Sequence, residues 1–172
     1  MHELAGGLWT WTGRHPDWKN DPHWGPDVRS YALETDDGIL LFDPISIPDE
    51  LKSRGKVEVV LTAEWHARDA QALGAPIRGD DLPKDVTAQP AWFPGERTLW
   101  IPAHNALIAG DSLPNGGAIP DAWLESEWAK GTRDEYNQKL EPLLDLPIEL
   151  LLPTHGDPVL DDAHNALKSA IG

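Results

Sequence analysis

Cysteine is absent from the 172 residues, which excludes disulfides, thiolate zinc sites and a cysteine nucleophile together. No apolar run approaches the ~18 residues that a membrane-crossing helix needs, and no basic segment leads into an apolar stretch after Met1. Neither a membrane span nor a signal peptide is therefore expected, and a reducing, cytoplasmic setting fits the missing thiols. Positive charge is scarce, with 14 basic against 29 acidic residues and a net charge of −15. Such a balance repels phosphate backbones and anionic membranes, so neither a nucleic acid nor a membrane is expected as a partner. The strip Lys52, Arg54 and Lys56 reads as a solvated turn before a strand. Phosphate-binding glycine loops and a Gly-x-Ser-x-Gly elbow are also missing.

Nine tryptophans and 16 prolines are what the chain has in excess. Trp9, Trp11, Trp18 and Trp24 lie in GGLWTWTGRHPDWKNDPHWG, broken by Pro16, Pro22 and Pro26. The prolines suit an irregular segment laid over the surface, in which Trp9 and Trp11 alternate with threonines as in a short edge strand. Trp18 and Trp24 are expected to cover a core or the partner in a homodimer. His15, His23 and His164 are expected at the surface.

The size suits a single domain over residues 1–172. VRSYALETDDGILLFDP reads as a hairpin turning at Asp36-Asp37-Gly38, followed by a short helix near Pro48 and a buried strand from Val57 to Leu61. AEWHARDAQALGAP has helical spacing, and residues 78–95 read mostly as loop. Two short strands, 98–102 and 106–109, follow as a hairpin. A helix capped by Asp121 with Leu124 and Trp128 on one face comes next. Then come a second helix through Tyr136 and Leu140, a strand at 148–152, and a terminal helix that buries Ala163, Leu167, Ala170 and Ile171.

Four strands in this reading run into a charged or imidazole side chain: Asp43 after ILLF, the His66 region after VVLT, Asp111 after ALIAG, and His155 after LLPT. Ligands of open α/β sheets gather at carboxyl strand ends. Asp111, His155 and His66 thus form a candidate metal set of one carboxylate and two imidazoles, suited to one zinc, manganese or iron ion. The bland reading gives Asp111 its own turn amides and leaves His155 tying down the Gly156 loop. Ser112 stands too close to Asp111 for a familiar triad.

The order GILLFDP, VVLT, LIAGDS, LLPTHG resembles the metallo-β-lactamase superfamily, including its glyoxalase II-like hydrolases. That resemblance spans Tyr31 to Gly156 and implies a four-layer αβ/βα sandwich. It matches Asp111 to the bridging carboxylate and His155 to the late histidine ligand. The T-H-x-H-x-D-H cluster falls in one register on Ala63, Trp65, Ala67 and Arg68, and in the other on Glu64, His66, Arg68 and Asp69. In the second register Arg68 stands where the catalytic aspartate belongs, and a guanidinium repels a cation. The middle histidine has no counterpart near Pro94-Gly95-Glu96.

The chain is accordingly expected to lack a complete dinuclear centre and to serve as a binding or structural relative with little hydrolase activity, with no cofactor assigned. The alternative is a one-metal hydrolase of an ester, lactone, thioester or phosphate. In it Asp69 or Glu64 is the general base and Arg68 holds an anionic substrate group. A metal-free rim in which Arg68 replaces the cation and pairs with Asp111 or Asp69 is a further expectation.

Overall fold

In a computed structural model, residues 1–20 and 24–172 are described. Two compact units divide the chain, Met1–Asp85 and Val86–Gly172. His23 lies outside the described residues.

The first unit is a six-stranded sheet: β1 (His2–Ala5), β2 (Leu8–Arg14), β3 (Asp27–Thr35), β4 (Gly38–Phe42), β5 (Val57–Val60) and β6 (Ile77–Arg78), side by side in that order. The first four pair antiparallel, and β4, β5 and β6 run parallel. The hairpin at Asp36-Asp37-Gly38 forms as the turn residues require. The parallel crossover from β4 to β5 carries α1 (Asp49–Lys52), which starts behind Pro48. Trp11, Ala32, Leu41, Val59 and Leu61 pack there with Leu51 of α1 and Ala70 of α2 (Ala70–Leu73). Apolar surface of this kind is worth about 25 cal/mol per Å² removed from water.

Two expectations for this half are corrected. The segment holding Trp9 and Trp11 is neither irregular nor an edge, because β1 pairs outside β2. Trp11 is buried in the core, with its indole N–H donated to Ile45 O at 2.6 Å. The helix expected over residues 63–73 is broken into a 3₁₀ turn, Glu64–His66, and α2. The break falls at Arg68, whose φ of 31° no α-helix accommodates.

The second unit is a four-stranded sheet of β7 (Thr87–Gln89), β8 (Thr98–Ile101), β9 (Ala106–Gly110) and β10 (Leu150–Pro153), ordered β10-β9-β8-β7. β8 and β9 form the expected hairpin through a 3₁₀ turn at Pro102–His104, and Asn105 takes the left-handed conformation that Asn tolerates. β9 and β10 are parallel, joined through α3 (Asp121–Leu124) and α4 (Arg133–Leu140). Thr132 and Glu135 close a capping box on α4. The terminal helix α5 (Ala163–Ile171) buries the four residues its periodicity marked.

Trp128 does not share a helix face with Leu124. α3 ends at Leu124, and Trp128 is 56% exposed, stacked on Phe93 at 4.8 Å between centroids. Asp121 is not the cap either: Pro120 holds that position, and the Asp121 carboxylate binds Arg133. No helix among the described residues is long and apolar enough to cross a membrane.

Candidate functional site

The parallel neighbours β4 and β5 of the first unit end side by side, and they deliver Asp43 and Thr62 to one point. Asp43 is buried with φ 46°, a left-handed conformation that short polar residues reach most easily. Its Oδ1 accepts the Thr62 amide at 2.9 Å, and its Oδ2 accepts the Thr62 hydroxyl at 2.6 Å. Thr62 Oγ1 lies 2.8 Å from His66 Nδ1, and Asp43 Oδ2 is 3.2 Å from the same nitrogen.

The proton positions follow. A carboxylate only accepts, so the single Thr62 hydroxyl proton points at Asp43. Thr62 Oγ1 must then accept from His66, which places a proton on Nδ1. Carboxylate-oriented imidazoles of this tautomer are the usual form of a histidine metal ligand.

The rest of this stretch is arranged differently from a ligand cluster. Glu64 is exposed, and Trp65, 49% exposed, sets its ring edge-on to His66 at 5.8 Å. Asp69 Oδ2 accepts the Ser46 amide at 2.6 Å, and the Asp69 amide donates to Pro44 O at 3.3 Å. The carboxylate therefore pins the loop that follows Asp43.

In the second unit β9 and β10 bring Asp111 and His155 together. Gly110, with φ 58°, turns the chain out of β9, and its carbonyl accepts the Thr154 amide at 3.2 Å. His155 O accepts the Asn115 amide at 2.6 Å, and Gly156 follows with φ 96°. A Cβ at Gly156 would stand 2.1 Å from Asn115 Oδ1, so only glycine lets the histidine loop approach. His155 Nε2 then lies 3.2 Å from Asp111 Oδ1, with both side chains largely buried.

Glu96 organises this strand end, and the sequence reading gave it no role beyond standing where a histidine was missing. Its Oε1 accepts the Asp111 amide at 2.6 Å, and its Oε2 accepts the Ser112 hydroxyl. Ser112 Oγ in turn accepts the Trp92 amide at 2.6 Å. The Ser112 hydroxyl is thereby committed in both directions, donating to a carboxylate rather than to an imidazole. Tyr136 donates its hydroxyl to Ser112 O at 2.7 Å, and burial pushes that phenol well above its ordinary range. Lys139 Nζ reaches Trp92 O at 2.9 Å. A glutamate directly after Pro94-Gly95 and before a strand was the available signal.

A hydrolytic zinc site takes three protein ligands and leaves one position open. Among the described residues no three His, Cys, Asp or Glu side chains cluster as a metal ion would require. The residues do not fit a dinuclear centre, whose two ions would need more.

The architecture itself matches solved structures. A metallo-β-lactamase from Erythrobacter litoralis aligns with a TM-score of 0.65 at 14% identity, over 98% of this chain and 90% of that one. The fold is that of the metallo-β-lactamase superfamily. A second metallo-β-lactamase, from Hirschia baltica, gives a TM-score of 0.60 at 14% identity over 99% and 94% of the two chains. One from Pseudomonas aeruginosa in a mono-zinc form gives 0.58 at 12% identity over 96% and 92%. No family model matches the sequence, and no curated protein matches it. The chain thus has the metallo-β-lactamase fold, and among its described residues no side-chain cluster provides a complete dinuclear metal centre.

Proposed function

We propose that the chain is a non-hydrolytic relative within the metallo-β-lactamase fold, a binding protein for a small molecule built as one domain over residues 1–172. The observation that carries this reading is the failure of any three ligand-type side chains to converge among the described residues. Two further features support it. His66 is held by Asp43 and Thr62, and the Asp69 carboxylate accepts the Ser46 amide. The coverage of 98% of this chain by one solved fold supports the single domain. Exposed Trp65 and Trp128 support a homodimer, and the order VVLT, LIAGDS, LLPTHG supports kinship with the glyoxalase II-like branch. The acidic, cysteine-free composition supports a cytoplasmic setting.

The competing reading, a one-metal hydrolase, draws on the 3.2 Å contact of Asp111 with His155, where a carboxylate and an imidazole already face each other. Turnover decides between them. Ester, lactone, thioester and phosphate substrates are assayed with zinc, manganese or iron(II) added. The proposal expects rates no faster than those of Asp111→Ala under every condition. Metal-dependent turnover that Asp111→Ala abolishes overturns it.

A further inference from the structure

An open cleft of about 390 Å³ lies in the first unit, lined by Ile47, Lys52, Asp69, Ala72 and Leu73. Small-molecule sites begin at roughly 300 Å³ and combine apolar walls with a few placed polar groups. This one has three aliphatic residues and one charge of each sign.

Lys52 and Asp69 do not spend their charges on each other. Lys52 Nζ sits 2.8 Å from Asp49 Oδ1, a surface pair in which the Asp49 side chain is 94% exposed. Such pairs contribute at most about 1 kcal/mol and exchange readily for a better partner. Asp69 is fixed by the Ser46 amide on Oδ2, and a carboxylate has a second oxygen with which to accept.

We infer that this cleft binds a small zwitterion with an aliphatic side chain, the simplest case being a branched-chain α-amino acid. The ligand carboxylate meets Lys52, its ammonium meets Asp69, and its side chain lies on Ile47, Ala72 and Leu73. A plain anion is opposed by Asp69 and by the net charge of −15, and a plain cation is opposed by Lys52. Only a ligand with both charges satisfies both walls. The assignment goes beyond the metal-free reading, and its failure leaves that reading standing, because metal content and turnover test the latter.

Titration calorimetry with L-leucine, leucinamide, N-acetyl-leucine and glycine tests it on the full chain. L-leucine is expected to bind saturably at one site, with each of the other three at least about tenfold weaker, as loss of a charged hydrogen bond or of the apolar contact implies. Lys52→Gln removes the preference for leucine over leucinamide. Ala72→Trp, at an exposed position that leaves the core untouched, fills the cleft and abolishes binding. No saturable leucine binding, equal binding of all four compounds, or unchanged binding in Ala72→Trp overturns the inference.

Discussion

Thr62 Oγ1 stands 2.8 Å from His66 Nδ1 and donates its hydrogen bond to Asp43, so one hydroxyl joins a buried imidazole to a buried carboxylate. Thr62 is the second residue past β5 and Asp43 the first past β4, so the link also ties the two strand ends together.

Replacing either end of the link has different consequences. Thr62→Val keeps the shape and loses the hydroxyl, and an unfolding midpoint in urea is expected to report a loss of about 1–3 kcal/mol. Asp43→Ala removes both acceptors of Thr62 and puts alanine at φ 46°, so its cost exceeds that of Thr62→Val. Equal stability of Asp43→Ala and the parent contradicts this assignment.

Glu96→Gln tests the second unit. One amide oxygen replaces one carboxylate oxygen, but the NH₂ group then faces either the Asp111 amide or the Ser112 oxygen, which already takes the Trp92 amide. A destabilisation of about 2 kcal/mol is expected by urea unfolding. Ser112→Ala strands both the Trp92 amide and Glu96 Oε2 and is expected to cost at least as much.

How far the sequence revealed these contacts depended on whether a residue sat at the end of a regular pattern. Asp43, Asp111 and His155 were legible because apolar runs rich in Ile, Leu and Val stop directly before them or one turn residue earlier. Glu96 was not, because it follows Pro94-Gly95 in a stretch without periodicity and its partners, Asp111 and Ser112, are distant in sequence. The helical spacing of Ala63, Ala67 and Ala70 misled at Arg68, where a single left-handed residue divides the segment while leaving the apolar period intact. β1 escaped notice because His2–Ala5 has neither alternation nor β-branched side chains, and with it unseen β2 passed for an edge.

Acid should expose a third relationship. Glu58 on β5 takes Arg78 through two nitrogens, at 2.9 and 2.8 Å, and Lys56 at 2.5 Å. The hydrogen bond from Lys56 first, and that from Arg78 second, holds its carboxyl below the ordinary value of 4.5. A folded-state value below the unfolded one means that the stabilisation is complete above the unfolded value and disappears as pH falls through the folded one. Urea unfolding between neutral pH and the acid range is expected to show Glu58→Gln losing stability relative to the parent near neutrality and converging on it below pH 4.5. A constant difference across that range contradicts the linkage.

Metal content of the untagged protein tests the central claim most directly. After exposure to excess zinc, manganese or iron(II) and gel filtration, elemental analysis is expected to find well under one ion per chain. Asp111→Ala and His155→Ala should be indistinguishable from the parent. Near-stoichiometric metal in the parent that is lost in either variant contradicts the account and returns the chain to the hydrolases whose fold it shares.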